Sequence, residues 1–142
     1  MLDPDCIFCK IIKGEVPSFK VLEDERTLAF MDINPANPGH VLVIPKVHAP
    51  DLFEIGEPWL AASVDAVQKV ARAVRATLDP YGVNIVQANG PGAAQSVLHF
   101  HWHVLPRTRD DGLRLNWGLT PGDINEIGAL SERIRRNIAV AG

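Results

Sequence analysis

The sequence predicts an α+β fold, in which an antiparallel five-stranded meander sheet is combined with one long inserted helix and a C-terminal helix. Three patterns predict it: short stretches rich in β-branched residues, one long segment with apolar residues at helical spacing, and a second such segment near the end. Strands joined by short turns must be antiparallel, which favours a meander. The 142 residues, of which 46% are hydrophobic, suit a single domain over residues 1–142.

The first three strands are predicted at residues 19–22, 27–31 and 40–44. An acidic turn lies between the first two, and a stretch dense in Asn, Pro and Gly lies before the third. The third strand is a run of apolar, mostly β-branched residues after His40, which Pro45 ends. It should therefore be buried.

A long amphipathic helix is predicted from Trp59, because apolar residues recur there at spacings of three and four positions. Pro58 suits its first turn, and Asp79 followed by Pro80 ends it. The apolar stripe of this helix consists of Leu60, Val64, Val67, Ala71, Val74 and Leu78.

Two further strands and a final helix complete the predicted fold. The fourth strand is predicted at residues 83–87, a glycine-containing loop follows it, and the fifth strand is expected in the stretch 99–107. Asp123 and Glu126 resemble a capping box at the start of the C-terminal helical extension, which covers about residues 120–140. The apolar side of that helix comprises Ile127, Leu130, Ile134 and Ile138.

Three of the five histidines alternate in the stretch 99–107, at His99, His101 and His103. In a strand, alternate side chains share one face, so the three imidazoles should lie together while the apolar residues between them pack on a core. Imidazole acts as a base, a nucleophile or a metal ligand near neutral pH. Two uses remain open: a hydrolytic zinc site with three histidine ligands, or attack of a neutral imidazole on phosphorus.

The residues around the histidines favour a ligand that contains phosphate. Gln95 and Ser96 follow the glycine-containing loop, whose N–H groups together with these side chains could surround phosphate oxygens. Asp32 precedes a turn-rich segment, and its carboxylate could accept hydrogen bonds from ribose hydroxyls. No cluster of carboxylates near the histidines in the sequence suggests a Mg²⁺ site.

Composition and charge limit the partners and the compartment that we expect. The formal net charge of −3 argues against binding of a long nucleic acid. No apolar run is long enough to span a membrane, and the first residues lack the basic and apolar regions of a secretory signal. Two cysteines exclude a disulfide framework, so we expect a cytoplasmic, reducing location.

The stretch 95–107, Gln-Ser-Val-Leu-His-Phe-His-Trp-His-Val-Leu-Pro-Arg, resembles the signature of the histidine triad (HIT) family, in which three histidines alternate with apolar residues. Three further segments match that family in type and order: residues 6–12, 30–35 and 38–48. The resemblance covers about residues 6–107, which form the motif-bearing core of a HIT-like domain. Ala94 departs from the family pattern, because glycine is frequent there among members.

The resemblance implies a nucleotide hydrolase or transferase that attacks the α-phosphate of nucleotidyl compounds, such as adenosine phosphoramidates or dinucleoside polyphosphates. His101 would be the nucleophile and would form a covalent nucleotidyl-histidine intermediate, so that no catalytic metal is required. His103 and Ser96 would act beside it on the phosphate. The implied substrate-binding side chains are Asp32, Ile33, His40, Asn89, Gln95, Ser96 and His103. A purine nucleotide substrate and a homodimer are implied as well. Two alternatives stay open: a zinc-dependent hydrolase that uses the three histidines as ligands, or a nucleotide-binding or interaction module whose activity is incidental.

The Cys6-x-x-Cys9 pair could be a redox motif or two buried thiols when it is considered alone. In one branch of the HIT family, the equivalent cysteines join two histidines in a structural zinc site. The matching positions here are His48 and His99. The resemblance therefore implies a structural Zn²⁺ bound by these four side chains.

Overall fold

The computed structural model describes residues 1–141, and the chain divides into two compact units. The first unit spans Met1–Gly112 and contains the whole motif-bearing core, and the second begins at Leu113. The first unit contains two α-helices, α1 (Ile7–Ile12) and α2 (Trp59–Leu78), a 3₁₀-helix over Pro91–Ala93, and five strands. The strands are β1 (Lys20–Glu23), β2 (Thr27–Met31), β3 (Val41–Pro45), β4 (Gly82–Gln87) and β5 (Trp102–Arg107).

The five strands form one sheet in the order β1-β2-β3-β5-β4, and every neighbouring pair is antiparallel. This arrangement confirms the predicted fold class, including the long helix inserted between the third and fourth strands. The connection through α2 also changes the strand order, because β5 pairs with β3 and leaves β4 at the edge of the sheet.

The two faces of the sheet bury two separate apolar clusters, because side chains alternate along each strand. One face packs against α2, where Ala66, Val67, Val70 and Val74 meet Ala29, Val41, Val43 and Val104. On the other face, Leu28, Phe30, Leu42 and Ile44 cluster with Phe8 and Ile11 of α1. The Trp102 indole N–H donates to the Ser63 hydroxyl of α2 at 3.0 Å, which ties β5 to the helix.

The fifth strand begins at Trp102, so the prediction of a strand that includes His99 and His101 was wrong. The reason lies in the hydrogen bonds of this segment. The Phe100 N–H donates to the Ala49 carbonyl at 2.7 Å, and the carbonyl of His99 is close to the ring of His101 rather than a neighbouring strand. Helix α1, which is only six residues long and follows Cys6 directly, was not predicted from the sequence.

The second unit contains α3 (Ile124–Ala141). The Asp123 carboxylate accepts hydrogen bonds from the N–H groups of Asn125 at 2.9 Å and Glu126 at 3.1 Å, as expected for an N-cap. None of the helices in the described part of the chain is both long and apolar enough to cross a membrane.

Candidate active site and metal centre

Two cysteines and two histidines form a cluster at α1 in which the ligand atoms lie within 4.8 Å of one another: Cys6, Cys9, His48 and His99. Nδ1 of His99 lies 3.5 Å from Sγ of Cys6 and 3.5 Å from Sγ of Cys9, and Nδ1 of His48 lies 3.5 Å from the same Cys9 sulfur. Cys6 immediately precedes α1 and Cys9 lies within it, so one short helix presents both sulfurs. The sequence stretch 46–48 and the segment before β5 supply the histidines.

These separations fit a tetrahedral zinc ion. With Zn–S bonds of about 2.3 Å and Zn–N bonds of about 2.05 Å, tetrahedral ligands have sulfur and nitrogen about 3.6 Å apart. The three measured S–N distances of 3.5 Å agree with this value. The Cys₂His₂ donor set is also one that structural zinc sites use.

A backbone carbonyl orients the ring of His99, and a carboxylate lies near the ring of His48. Nε2 of His99 lies 3.0 Å from the carbonyl of Pro45, to which it donates, so Nδ1 keeps its lone pair for the sulfur side. Nε2 of His48 lies 3.7 Å from the Asp3 carboxylate. Burial raises the pKa of the Cys9 thiol to about 11, which a bound cation would oppose by stabilising the thiolate.

His101 lies beside this cluster, and one ring nitrogen is occupied by the backbone. Nδ1 of His101 is 2.6 Å from the carbonyl oxygen of His99, so its N–H donates there and Nε2 carries the free lone pair. Burial lowers the pKa of His101, against the opposing effects of that hydrogen bond and of Asp32. A neutral imidazole with an available Nε2 has the properties of a nucleophile.

His103 extends the site from His101 toward His40. The ring centroids of His101 and His103 are 5.0 Å apart, and those of His40 and His103 are 5.1 Å apart. Nε2 of His40 lies 2.8 Å from Nδ1 of His103. Burial, together with the charges of His101 and His40, lowers the pKa of His103 to about 4.

A cavity of about 410 Å³ opens in front of His101 and His103. One part of its wall is apolar and is formed by Ile7, Phe8, Ile11, Val16, Pro17, Phe30, Leu42 and Val97. The polar part includes Asp32, Asn34, Ser96 and the two histidines, and Ile33 also lines the cavity. A cavity with a broad apolar wall and a few convergent polar groups is typical of a small-molecule site.

Three of the residues that the resemblance implied for substrate binding or catalysis lie on the wall of this cavity, namely Asp32, Ile33 and Ser96. The Asp32 carboxylate accepts the Asn34 N–H through Oδ1 at 2.8 Å, and its Oδ2 lies 3.7 Å from Nε2 of His40. The side chain of Ile33 is 77% exposed, so it offers an uncovered apolar surface beside that carboxylate.

Asn89 and Gln95 are not among the side chains that line the cavity, and both are engaged with the chain itself. Oδ1 of Asn89 accepts the Leu52 N–H at 2.8 Å, and its amide exchanges hydrogen bonds with Gln87. The Gln95 amide donates to the carbonyls of Pro50 at 2.6 Å and Val97 at 3.0 Å and accepts the Gly90 N–H at 2.8 Å. In this structure Asn89 ties the start of the loop to Leu52, and Gln95 ties the part of the loop next to Ser96 to Pro50.

Phe8 is a site residue that the sequence analysis did not identify. Its ring lies 5.3 Å from that of His101, 5.8 Å from that of His99 and 5.5 Å from that of Phe30, in edge-to-face geometry. It also lines the cavity. The position of Phe8 between the two cysteines was the available signal, but only the cysteines of that segment were assigned possible roles from the sequence.

The three triad histidines do not converge on one metal position. Both ring nitrogens of His99 face other groups, namely the cysteine sulfurs and the carbonyl of Pro45, and Nδ1 of His101 faces a carbonyl. Among residues 1–141, the two groups of side chains that could hold an ion each contain only one triad histidine. The geometry therefore favours nucleophilic chemistry over a catalytic zinc bound by His99, His101 and His103.

Comparison with known proteins identifies related chains. The family model described as the HIT domain matches residues 13–110. The chain is 38% identical to adenosine 5'-monophosphoramidase HNT1 of Candida albicans, over 94% of this chain and 91% of that protein. A crystal structure of a HIT family member from Bacillus subtilis is 41% identical with a TM-score of 0.88, covering 93% of this chain and 96% of that one.

A zinc-bound histidine triad family protein from Mycobacterium smegmatis has a similar structure. It is 36% identical, with a TM-score of 0.73, and the match covers 97% of this chain and 98% of that one.

Proposed function

The chain belongs to the HIT family, and from this premise we propose that it hydrolyses or transfers the nucleotidyl group of a purine nucleotide derivative. The substrate class is an adenosine phosphoramidate or a dinucleoside polyphosphate, attacked at the α-phosphate. Support for the phosphoramidate comes from the relative in Candida albicans, which is named an adenosine 5'-monophosphoramidase.

The observation that carries this proposal is the pairing of Nδ1 of His101 with the carbonyl of His99 at 2.6 Å. It leaves Nε2 unprotonated at the edge of a cavity of about 410 Å³. Attack by that nitrogen on the α-phosphorus forms an N–P bond as the bond to the leaving group breaks. Water then cleaves the N–P bond, which releases the nucleotide and restores the imidazole.

The other side chains of the cavity have complementary roles in this proposal. His103 and Ser96 stabilise the negative charge on the phosphate oxygens in the transition state. Asp32 accepts hydrogen bonds from the ribose hydroxyls, and Ile33 packs against the purine. Asn89 and Gln95 act on the phosphate side indirectly, by fixing the loop that carries Ser96.

Mass spectrometry of rapidly quenched protein tests the covalent step. With adenosine phosphoramidate we expect a transient adenylyl adduct on His101 in the wild type and none in His101→Ala, whose turnover should fall by orders of magnitude. His99, His103 and His40 serve as internal controls in the same peptide map. Turnover without any adduct on His101, or with an adduct on another residue, would contradict the proposal.

We also propose that Cys6, Cys9, His48 and His99 hold a structural zinc ion, which would fasten α1 to the segment before β5. The separations between their ligand atoms and the zinc-bound relative from Mycobacterium smegmatis support this. Elemental analysis should find one zinc per chain, and Cys9→Ser should lower that ratio. Chelation should lower the melting temperature, yet a preformed His101 adduct should persist, whereas a catalytic zinc enzyme would stop at once.

A homodimer is the expected assembly, with α2 and β4 at the interface. β4 is an edge strand, and the exposed apolar side chains Ile85 on β4 and Val64 on α2 support the choice. Sedimentation of Ile85→Lys should show dissociation, whereas Phe53→Lys, at another exposed apolar residue, should remain dimeric. The cytoplasm remains the proposed location, because it would keep the two cysteines reduced and able to bind metal.

A further inference from the structure

A chain of hydrogen bonds runs from the backbone at Ala36 through His40 to His103. The Ala36 N–H points at Nδ1 of His40 at 3.1 Å. On the other side of the same ring, Nε2 lies 2.8 Å from Nδ1 of His103. His40 is 6% exposed, so water has little access to compete for either contact.

Only one arrangement of protons satisfies both contacts when the two rings are neutral. The amide of Ala36 is a fixed donor, so Nδ1 of His40 must accept and its proton must be on Nε2. That N–H then donates to Nδ1 of His103, which must in turn be unprotonated. The proton of His103 is therefore on Nε2.

The same three side chains could also be considered a metal site, because ligand atoms of Asp32, His40 and His103 lie within 4.8 Å of one another. Two histidine nitrogens on one tetrahedral ion should be about 3.3 Å apart, given Zn–N bonds of about 2.05 Å. The measured 2.8 Å is a hydrogen-bond distance. In addition, a metal on Nε2 of His40 would require a proton on Nδ1, where the Ala36 N–H already points.

We infer that His40 is a positioning residue that locks His103 in the tautomer with the proton on Nε2. Because His103 lines the cavity, it then presents a neutral N–H donor to an oxygen of the reacting phosphate. This role rests on the proposed function for its effect on turnover, but the tautomer itself can be measured without any substrate. No proton needs to leave His40 or His103 for this role.

The electrostatic surroundings agree with neutral rings. Burial lowers the pKa of His40, although the Asp32 carboxylate opposes this. Burial and two neighbouring histidines lower the pKa of His103 to about 4. The N–H on Nε2 of His40 has two acceptors nearby. Oδ2 of Asp32 lies 3.7 Å from that nitrogen, which is beyond hydrogen-bond distance, whereas Nδ1 of His103 lies at 2.8 Å and is therefore the acceptor.

The first test is NMR of the full-length protein labelled with ¹⁵N at histidine, at neutral pH and without substrate. Two-bond nitrogen–proton correlations distinguish a protonated ring nitrogen from an unprotonated one. We expect protonated Nε2 and unprotonated Nδ1 on His103, and the same pattern on His40. A proton on Nδ1 of His103 in the wild type would overturn the inference, whatever the enzyme assay shows.

Two matched variants distinguish the effect of the hydrogen bond that His40 donates to His103 from the effect of removing the His40 ring. The amide nitrogen of His40→Gln can occupy the place of Nε2 and donate to His103, whereas the shorter side chain of His40→Asn can accept the Ala36 N–H but cannot reach His103. Only the fraction of His103 with its proton on Nε2 supplies the donor, so the mixture of tautomers in His40→Asn should lower kcat by about twofold to fivefold, in proportion to that fraction. His40→Gln should recover most of that loss, and KM should change little in either variant.

The NMR spectra of the same variants complete the test. His40→Asn should show a mixture of His103 tautomers, and His40→Gln should show the wild-type tautomer. Equal kcat losses in the two variants, with an unchanged His103 tautomer in both, would contradict the positioning role. Failure of the proposed function is a separate result, because it would appear as turnover without an adduct on His101.

Discussion

Replacement of Phe8 by alanine tests whether one aromatic ring supports both the metal centre and the nucleophile. Phe8 is 6% exposed and packs edge-to-face against the rings of His99, His101 and Phe30, with centroids 5.3–5.8 Å away. It is therefore the side chain that touches a proposed metal ligand, the proposed nucleophile and the sheet at once. Its removal leaves a space between the rings of His99, His101 and Phe30.

The expected cost follows from this burial. Truncation of a fully buried phenylalanine destabilises a protein by about 3–5 kcal/mol. Phe8→Leu keeps most of the volume, so it should cost only about 1–2 kcal/mol, mainly from the lost aromatic contacts. Displacement of the His101 ring should lower kcat/KM of Phe8→Ala by about 10-fold to 100-fold, because small misplacements of a reacting group are costly.

Urea unfolding, followed by circular dichroism with zinc in excess, measures the first quantity, and steady-state turnover of adenosine phosphoramidate measures the second. Phe53→Ala is the matched control, because that phenylalanine is 81% exposed and should lose no more than about 0.5 kcal/mol. If Phe8→Ala and Phe53→Ala lose similar stability, or if Phe8→Ala keeps wild-type kcat/KM, the ring does not support the site in the way described.

Three further predictions concern pH, the helix contact and the loop before Ser96. Burial lowers the pKa of His101 below its ordinary 6.5, so the acidic limb of the kcat/KM profile should lie below pH 6.5, and an inflection above that value would refute a neutral nucleophile. Ser63→Ala removes the acceptor of the Trp102 N–H and should lower the free energy of unfolding, measured with urea, by about 1–3 kcal/mol. In a Trp102→Phe background the same substitution should cost much less, and equal costs in the two backgrounds would contradict the hydrogen bond. Ala94 has a φ of 60° in the left-handed region, so Ala94→Gly should relieve strain and raise the free energy of unfolding by up to about 1 kcal/mol; a destabilised variant would contradict this.

The fold was largely predictable because its signals are local. Apolar spacing predicted α2 over Trp59–Leu78, and the structure has the same bounds. The capping box at Asp123 likewise predicted the start of α3, because the cap depends on residues within one turn. His99 and His101 are the exception, because they continue the alternating pattern of β5 but lie outside the strand. There the Phe100 N–H bonds to Ala49, and the His99 carbonyl faces the His101 ring in place of a neighbouring strand.

The candidate site was predictable in membership but not in the role of each member. The motifs indicated His101, His103, Asp32 and Ser96, which the structure brings to one cavity. The amide groups of Asn89 and Gln95 also occur in the expected loop, yet they bond to Pro50, Leu52 and other parts of the chain. A sequence pattern specifies which polar groups are available, but it does not specify which partner will satisfy each of them.

The sequence by itself determined the order and type of the elements, the identity of the family and the set of residues available for chemistry. The elements could be predicted because residue spacing controls which side chains share a helix stripe or a strand face, whereas the family was identified from motifs that resemble its own in type and order. Only the tertiary structure decided that His99 faces Cys6, 93 positions away in the chain, while its carbonyl binds His101. Tertiary packing likewise made Phe8 the common neighbour of the metal-ligand cluster and the proposed nucleophile, and it assigned the ring protons of His40 and His103. The physical reason is that hydrogen bonds and buried contacts join segments that are far apart in the chain, and their separation leaves no periodic pattern in the sequence.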